Sequence, residues 1–216
     1  MLRHGGSQPR NDEGASHFAR RGKNAEAFLI YGGIKMRMWT VQMPIVQETL
    51  DLCGVSYVKR EYLRKKYRET AWIFLEAYSF MTREMEKRVP RPAEAESPIW
   101  VFRDVSRVFC HEGALLYELD VPEDQMVLFD LRNWQEILSL KPLGNPADRE
   151  KILSDMRRQG AGDTSDVFAK PFYPLVKKQI RDSWKALFTE PLPDETWQQG
   201  AVWMLKKEWI IGTENL

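Results

Sequence analysis

The chain has 216 residues, 43% hydrophobic and 12% aromatic, a globular composition able to bury a core without disulfides or metals. Of its 32 Lys and Arg and 31 Asp and Glu, six and three fall in residues 1–35; the rest carries 26 and 28, with no basic excess of the kind that grips a phosphate backbone. Its two cysteines form no paired motif, as in a reducing cytoplasm, and no apolar run approaches the ~20 residues of a bilayer span, so neither nucleic acid nor membrane is an expected partner.

Residues 1–35 mix Gly, Ser, Asn, Asp and Arg without an apolar period, apart from Ala27-Phe28-Leu29-Ile30-Tyr31, and are expected to be a disordered leader. They lack the long apolar centre and cleavage site of a secretory signal. Gly32-Gly33 just ahead of Met36 is what a purine-rich ribosome-binding site yields when translated in frame. The expected functional start is therefore Met36 or Met38, with the leader an upstream extension of the reading frame.

The body, residues 36–216, opens with a strand over Met36–Gln42, followed by a helix that Pro44 begins and Gly54 ends. Val55–Val58 suggests a short strand, and Lys59–Lys66 is too charged for a core. Tyr67, Ala71, Phe74, Leu75, Tyr78, Met81 and Met85 hold one stripe of the longest helix. Three prolines make residues 89–98 a loop, from which the strand Ile99–Arg103 leaves; residues 105–113 have no clear assignment.

Leu115–Asp130 is the most legible stretch. Leu115, Tyr117, Leu119 and Val121 alternate with wetter residues, Pro122-Glu123-Asp124 makes a tight turn, and Met126–Phe129 is apolar throughout, as in a strand covered on both faces. These are expected to form a central strand pair, with Asp130 capping the helix that carries Leu131, Trp134, Ile137 and Leu138. Pro146 starts a short helix, residues 159–169 look least ordered by composition, and Tyr173, Val176, Ile180, Trp184, Leu187 and Phe188 mark another helix. Residues 200–205 and 209–211 suggest the last strands. The whole predicts one α+β domain, a mixed β-sheet with three or four covering helices.

Few chemistries fit. His4, His17 and His111 are the only histidines, and without H-E-x-x-H or C-x-x-C no metal site is expected. Cys110 and His111 are neighbours on an extended chain and point apart, no serine sits on a nucleophile elbow, and Gly160-Ala161-Gly162 lacks the third glycine of a dinucleotide loop. Asp130 follows a buried strand, where ligands often bind, although capping explains it too. Trp39, Trp100, Trp134 and Trp203 each lie beside a strand. They are core on the simplest reading, or the walls of a cleft for a flat ring, with Gln42, Arg103, Asp130 and Gln199 as polar contacts.

Trp39-Thr40-Val41-Gln42, Pro98-Ile99-Trp100, Tyr117–Pro122 with Val127–Asp130 and Trp134, Ser183–Phe188 and Gln199–Trp203, in that order, resemble the domain-of-unknown-function family numbered 3841, bacterial and cytosolic, over residues 36–211. The resemblance implies a Ser before the aspartate and a His after the tryptophan, where this chain has Phe129 and Gln135. It carries no activity. The order of elements is also similar to that of ADP-ribosyltransferase-like domains. That likeness implies NAD as cofactor, with Thr40, Gln42 and Gln199 near the nicotinamide; those enzymes have His or Arg where Trp39 stands and a catalytic Glu where Gln199 stands, and an amide cannot replace a carboxylate. The expected function is thus a small-molecule, nucleotide-like binding module, with Trp39, Thr40, Gln42, Trp100, Arg103, Asp130, Trp134, Gln199 and Trp203 as its site. The alternatives are an altered NAD-using transferase and a protein interaction module.

Overall fold

Met38 and Thr40 alternate with Arg37 and Trp39 along β1 (Lys35–Gln42), burying one side of the strand. The computed structural model describes residues 33–216; the expected leader falls almost wholly outside them. After β1 come α1 (Pro44–Cys53), β2 (Val55–Ser56), α2 (Arg60–Tyr67), α3 (Ala71–Glu86), β3 (Ile99–Phe102), β4 (Leu115–Pro122), β5 (Met126–Asp130), α4 (Leu131–Leu138), α5 (Pro146–Arg158), α6 (Thr164–Ala169), α7 (Pro174–Ser183), β6 (Gln198–Val202), β7 (Leu205–Lys206) and β8 (Ile210–Asn215). The α+β class is as expected, with seven α-helices among the described residues rather than three or four.

Six strands form one sheet in the order β5-β6-β3-β1-β4-β8, and β2 and β7 make a separate ribbon. Among the described residues every pairing is antiparallel, where a mixed sheet was expected. The central contact is slight. β1 pairs with β4 along its whole length, but meets β3 at the single position Trp39↔Phe102. The sheet is therefore split into two halves, β1-β4-β8 and β3-β6-β5.

This split explains two features of the sequence. The residues of β5 are apolar throughout because Val127 and Phe129 enter a core built with α3 to α7, while Met126 and Leu128 enter a second core with Met38, Tyr117, Leu119 and Val121 of the other half. β4 and β5 do not pair with each other, contrary to the expected hairpin. Val121 stands opposite Met36 and Met126 opposite Val202, while the turn Glu123–Gln125 carries the chain between halves, its Glu123 N–H donating to Ile34 O at 3.0 Å. Gly200 is hemmed in on both sides: a Cβ there would stand 2.8 Å from Cγ2 of Val101, its partner on the neighbouring strand β3, and 3.2 Å from Met38 Cε of the other half.

Local chemistry sets the helix ends. Gly54 closes α1 at φ 73°, its N–H donating to Leu50 O at 2.9 Å. Residues 159–169 are more ordered than their composition suggests, because the Asp163 carboxylate accepts from Asp166 N–H at 2.7 Å and Thr164 and Val167 are buried. Among the described residues no helix is long and apolar enough to cross a membrane.

Candidate functional site

Beyond Trp39↔Phe102, β1 and β3 part, and a side chain replaces the ladder. Thr40 Oγ1 donates to Trp100 O at 2.8 Å across the gap, and Gln42 Nε2 donates to Thr40 Oγ1 at 2.9 Å. A cleft of about 450 Å³ opens there, lined by Thr40, Val41 and Gln42 on one side and Trp100 and Phe102 on the other, with Val108, Phe109 and His111 across it. Phe109 is 85% exposed, an unusual place for a phenyl ring, and His111 Nε2 lies 3.3 Å from Met43 Sδ. The Gln42–Thr40–Trp100 chain fixes the Gln42 amide. Its Oε1 is left as an acceptor beside aromatic walls.

Trp100 joins this cleft to the helical core. Its Nε1–H donates to Tyr78 Oη at 2.7 Å, and its ring lies 5.1 Å from Tyr78, 5.0 Å from Trp134 and 6.2 Å from Phe129. Gln199 stands in register between Phe102 and Phe129. Only 3% of it is exposed, and its Oε1 accepts no hydrogen bond within the protein.

The other expected site residues do not line the cleft. Trp134 and Trp203 are buried, and Trp203 Nε1–H is tied to Val89 O at 2.9 Å, so neither is a cleft wall. Trp39 is half-buried opposite Glu118. Arg103 donates to Arg37 O at 3.0 Å and to Glu195 Oε1 at 2.8 Å. Asp130 caps α4, accepting from Arg132 N–H at 2.8 Å, and its carboxylate pairs with the Arg132 guanidinium at 2.6 Å. Burial opposes its charge, but those bonds prevail and hold the carboxyl below its ordinary value. This is a structural aspartate.

A hollow of similar size lies between Met36, Val89, Met126, Leu128 and Leu192, with Arg88, Glu123 and Asp124 at its rim, but it has no aromatic wall. The split between half-sheets is the better site.

Residues 37–211 match the model of the domain of unknown function DUF3841. The chain belongs to the DUF3841 family. No curated protein and no solved structure matches it. The DUF3841 match begins in β1 and ends in β8, so it takes in both half-sheets and every residue of the cleft. Of the motifs that carried the likeness, Trp39–Gln42 and Pro98–Trp100 meet at the cleft and Gln199–Trp203 runs beside it. Where Ser and His were implied, the Phe129 ring packs 6.1 Å from Trp134 and Gln135 is exposed. Phe102, Val108, Phe109 and His111 escaped sequence reasoning. The available signal was Phe109 and His111 in an unassigned segment too polar to be core.

Proposed function

We propose that this DUF3841 protein is a bacterial cytoplasmic binding protein that takes a flat, nucleotide-like ring into the cleft where β1 and β3 part. The supporting observation is the union of three aromatic side chains, Trp100, Phe102 and Phe109, with a Gln42 amide already fixed by Thr40. Rings stack on such walls, and a fixed acceptor selects among them by hydrogen bonding. The volume of about 450 Å³ suits a base or nicotinamide with part of its ribose.

A thermal-shift screen against nucleosides, nucleotides and NAD, with tryptophan fluorescence recorded in parallel, tests this reading. The expected result is a saturable shift together with an emission change from Trp100. In Gln42→Ala the affinity should fall about tenfold, the loss of one well-made hydrogen bond. No shift from any compound would discard the cleft as a nucleotide site and favour the protein-interaction reading. Gln199 favours a second reading, in which the cleft holds NAD and the chain is an altered ADP-ribosyl transferase, because a buried acceptor without a partner stands beside Phe102. An NAD shift lost in Gln199→Ala, with nicotinamide release gained in Gln199→Glu, is its distinguishing result.

A further inference from the structure

Four arginines gather where β3 ends and β6 begins, and three of them are neutralised. Arg37 pairs with Glu118 and Asp120, Arg103 with Glu195 and Arg132 with Asp130. Arg107 differs. Among the described residues it pairs with no carboxylate, and its Nε is buried without a hydrogen-bond partner. Its guanidinium carbon stands over the Trp197 ring, 3.6 Å from the centroid, and Arg132 approaches the same ring at 5.0 Å. The closest acid in sequence, Asp104, accepts from Ser106 N–H at 2.8 Å, capping the 3-10 turn Val105–Arg107; it feels the Arg107 charge but forms no ion pair with it.

The position of this cation matters. Arg107 immediately precedes Val108 and Phe109, which wall the cleft, and Trp197 precedes Gln198 and Gln199, which stand opposite Arg103 and Phe102. The Arg107–Trp197 pair is not part of the cleft wall itself, but both residues adjoin in the chain those that stand at its Phe102 end. A stacked guanidinium is held in place by the ring below it, leaving its N–H edge to receive an anion, and a planar fork matches phosphate oxygens.

We propose that Arg107 is the phosphate-binding residue of the cleft, so that its ligand is a ring-bearing phosphate ester such as a nucleoside monophosphate, the ring against Trp100 and Phe102 and the phosphate on the Arg107 guanidinium. This rests on the ring-binding reading above. It gives the phosphate of that nucleotide-like ligand a binding residue, which that reading did not assign.

Calorimetric titration of the full chain with adenosine, guanosine, cytidine and uridine, each against its 5′-monophosphate, tests the assignment. At least one monophosphate should bind about tenfold tighter than its nucleoside, as a charge-assisted hydrogen-bonded pair provides. The difference should shrink in about 0.5 M salt, where exposed charges are screened. In Arg107→Ala it should vanish while the nucleoside affinity stays unchanged; in Arg107→Lys, which keeps the charge but loses the fork, it should be partly retained. The lysine variant preserves the test if the alanine variant fails to fold. Binding of a nucleoside with no gain from phosphate, or a gain that survives both substitutions, overturns the Arg107 assignment and leaves the ring site standing. Absence of binding by all eight compounds overturns both.

Discussion

Leu140 shows how one residue is held against its own preference. It follows α4 at φ 58°, a conformation that suits glycine, while its N–H donates to Ile137 O at 2.8 Å and the next N–H, of Lys141, donates to Glu136 O at 2.9 Å. Its side chain is fully buried in the helical core. Strain of about 1 kcal/mol opposes a burial whose loss costs about 2–5 kcal/mol, so burial wins. Leu140→Gly should lower stability by about 1–4 kcal/mol in urea titration, despite relieving the backbone; a stabilised variant would show that the strain is the larger quantity. Trp203→Phe keeps most of the apolar contact but leaves Val89 O without its donor. The expected cost is about 1–3 kcal/mol by the same measurement.

At the scale of elements, the pairing of β6 with β3, where Gly200 faces Val101, decides what residue 200 can be. Gly200→Ala brings a methyl group to 2.8 Å from Val101 Cγ2, which a β-branched side chain cannot easily turn away from. A loss of about 1–3 kcal/mol follows. Val101→Ala opens the space, so the double variant should lose less than the sum of the two single ones; strict additivity would mean that the two groups do not meet. For α6 the controlling residue is Asp163. Asp163→Ala should cost about 1 kcal/mol and speed amide exchange over residues 164–169 ahead of the rest of the chain.

The whole molecule should weaken in acid, and the sign follows from its carboxylates. Burial raises the Glu84 carboxyl, but hydrogen bonds and charge from Lys87 and Arg88 outweigh it and the net displacement is downward from 4.5. Asp130 is displaced downward from 3.8 by Arg132 against the same opposition. A group with a depressed folded value contributes stability that is complete above its unfolded value and disappears as pH falls through the folded one. Thermal midpoints should be level above about pH 5 and fall below about pH 4, less steeply in Glu84→Gln; an equal slope in that variant would remove Glu84 from the account.

Much of this architecture was legible in the chain because it depends on neighbours in sequence. Pro44 and Gly54 bound α1, Asp130 caps α4, and the alternation of Tyr117, Leu119 and Val121 marks β4, since backbone geometry and hydrogen-bonding groups act over a few residues. Trp39–Gln42 and Pro98–Trp100 were recognisable as motifs, and Thr40, Gln42 and Trp100 do meet at the cleft. Tertiary structure alone decided the rest. Pairing β5 with β6 instead of β4, and parting β1 from β3 after one residue pair, depend on contacts between segments distant in the chain that no local period records. The same reason divides the tryptophans: a buried indole and a cleft-lining indole have the same sequence signature, and only packing sends Trp134 and Trp203 inside while leaving Trp100 at the edge.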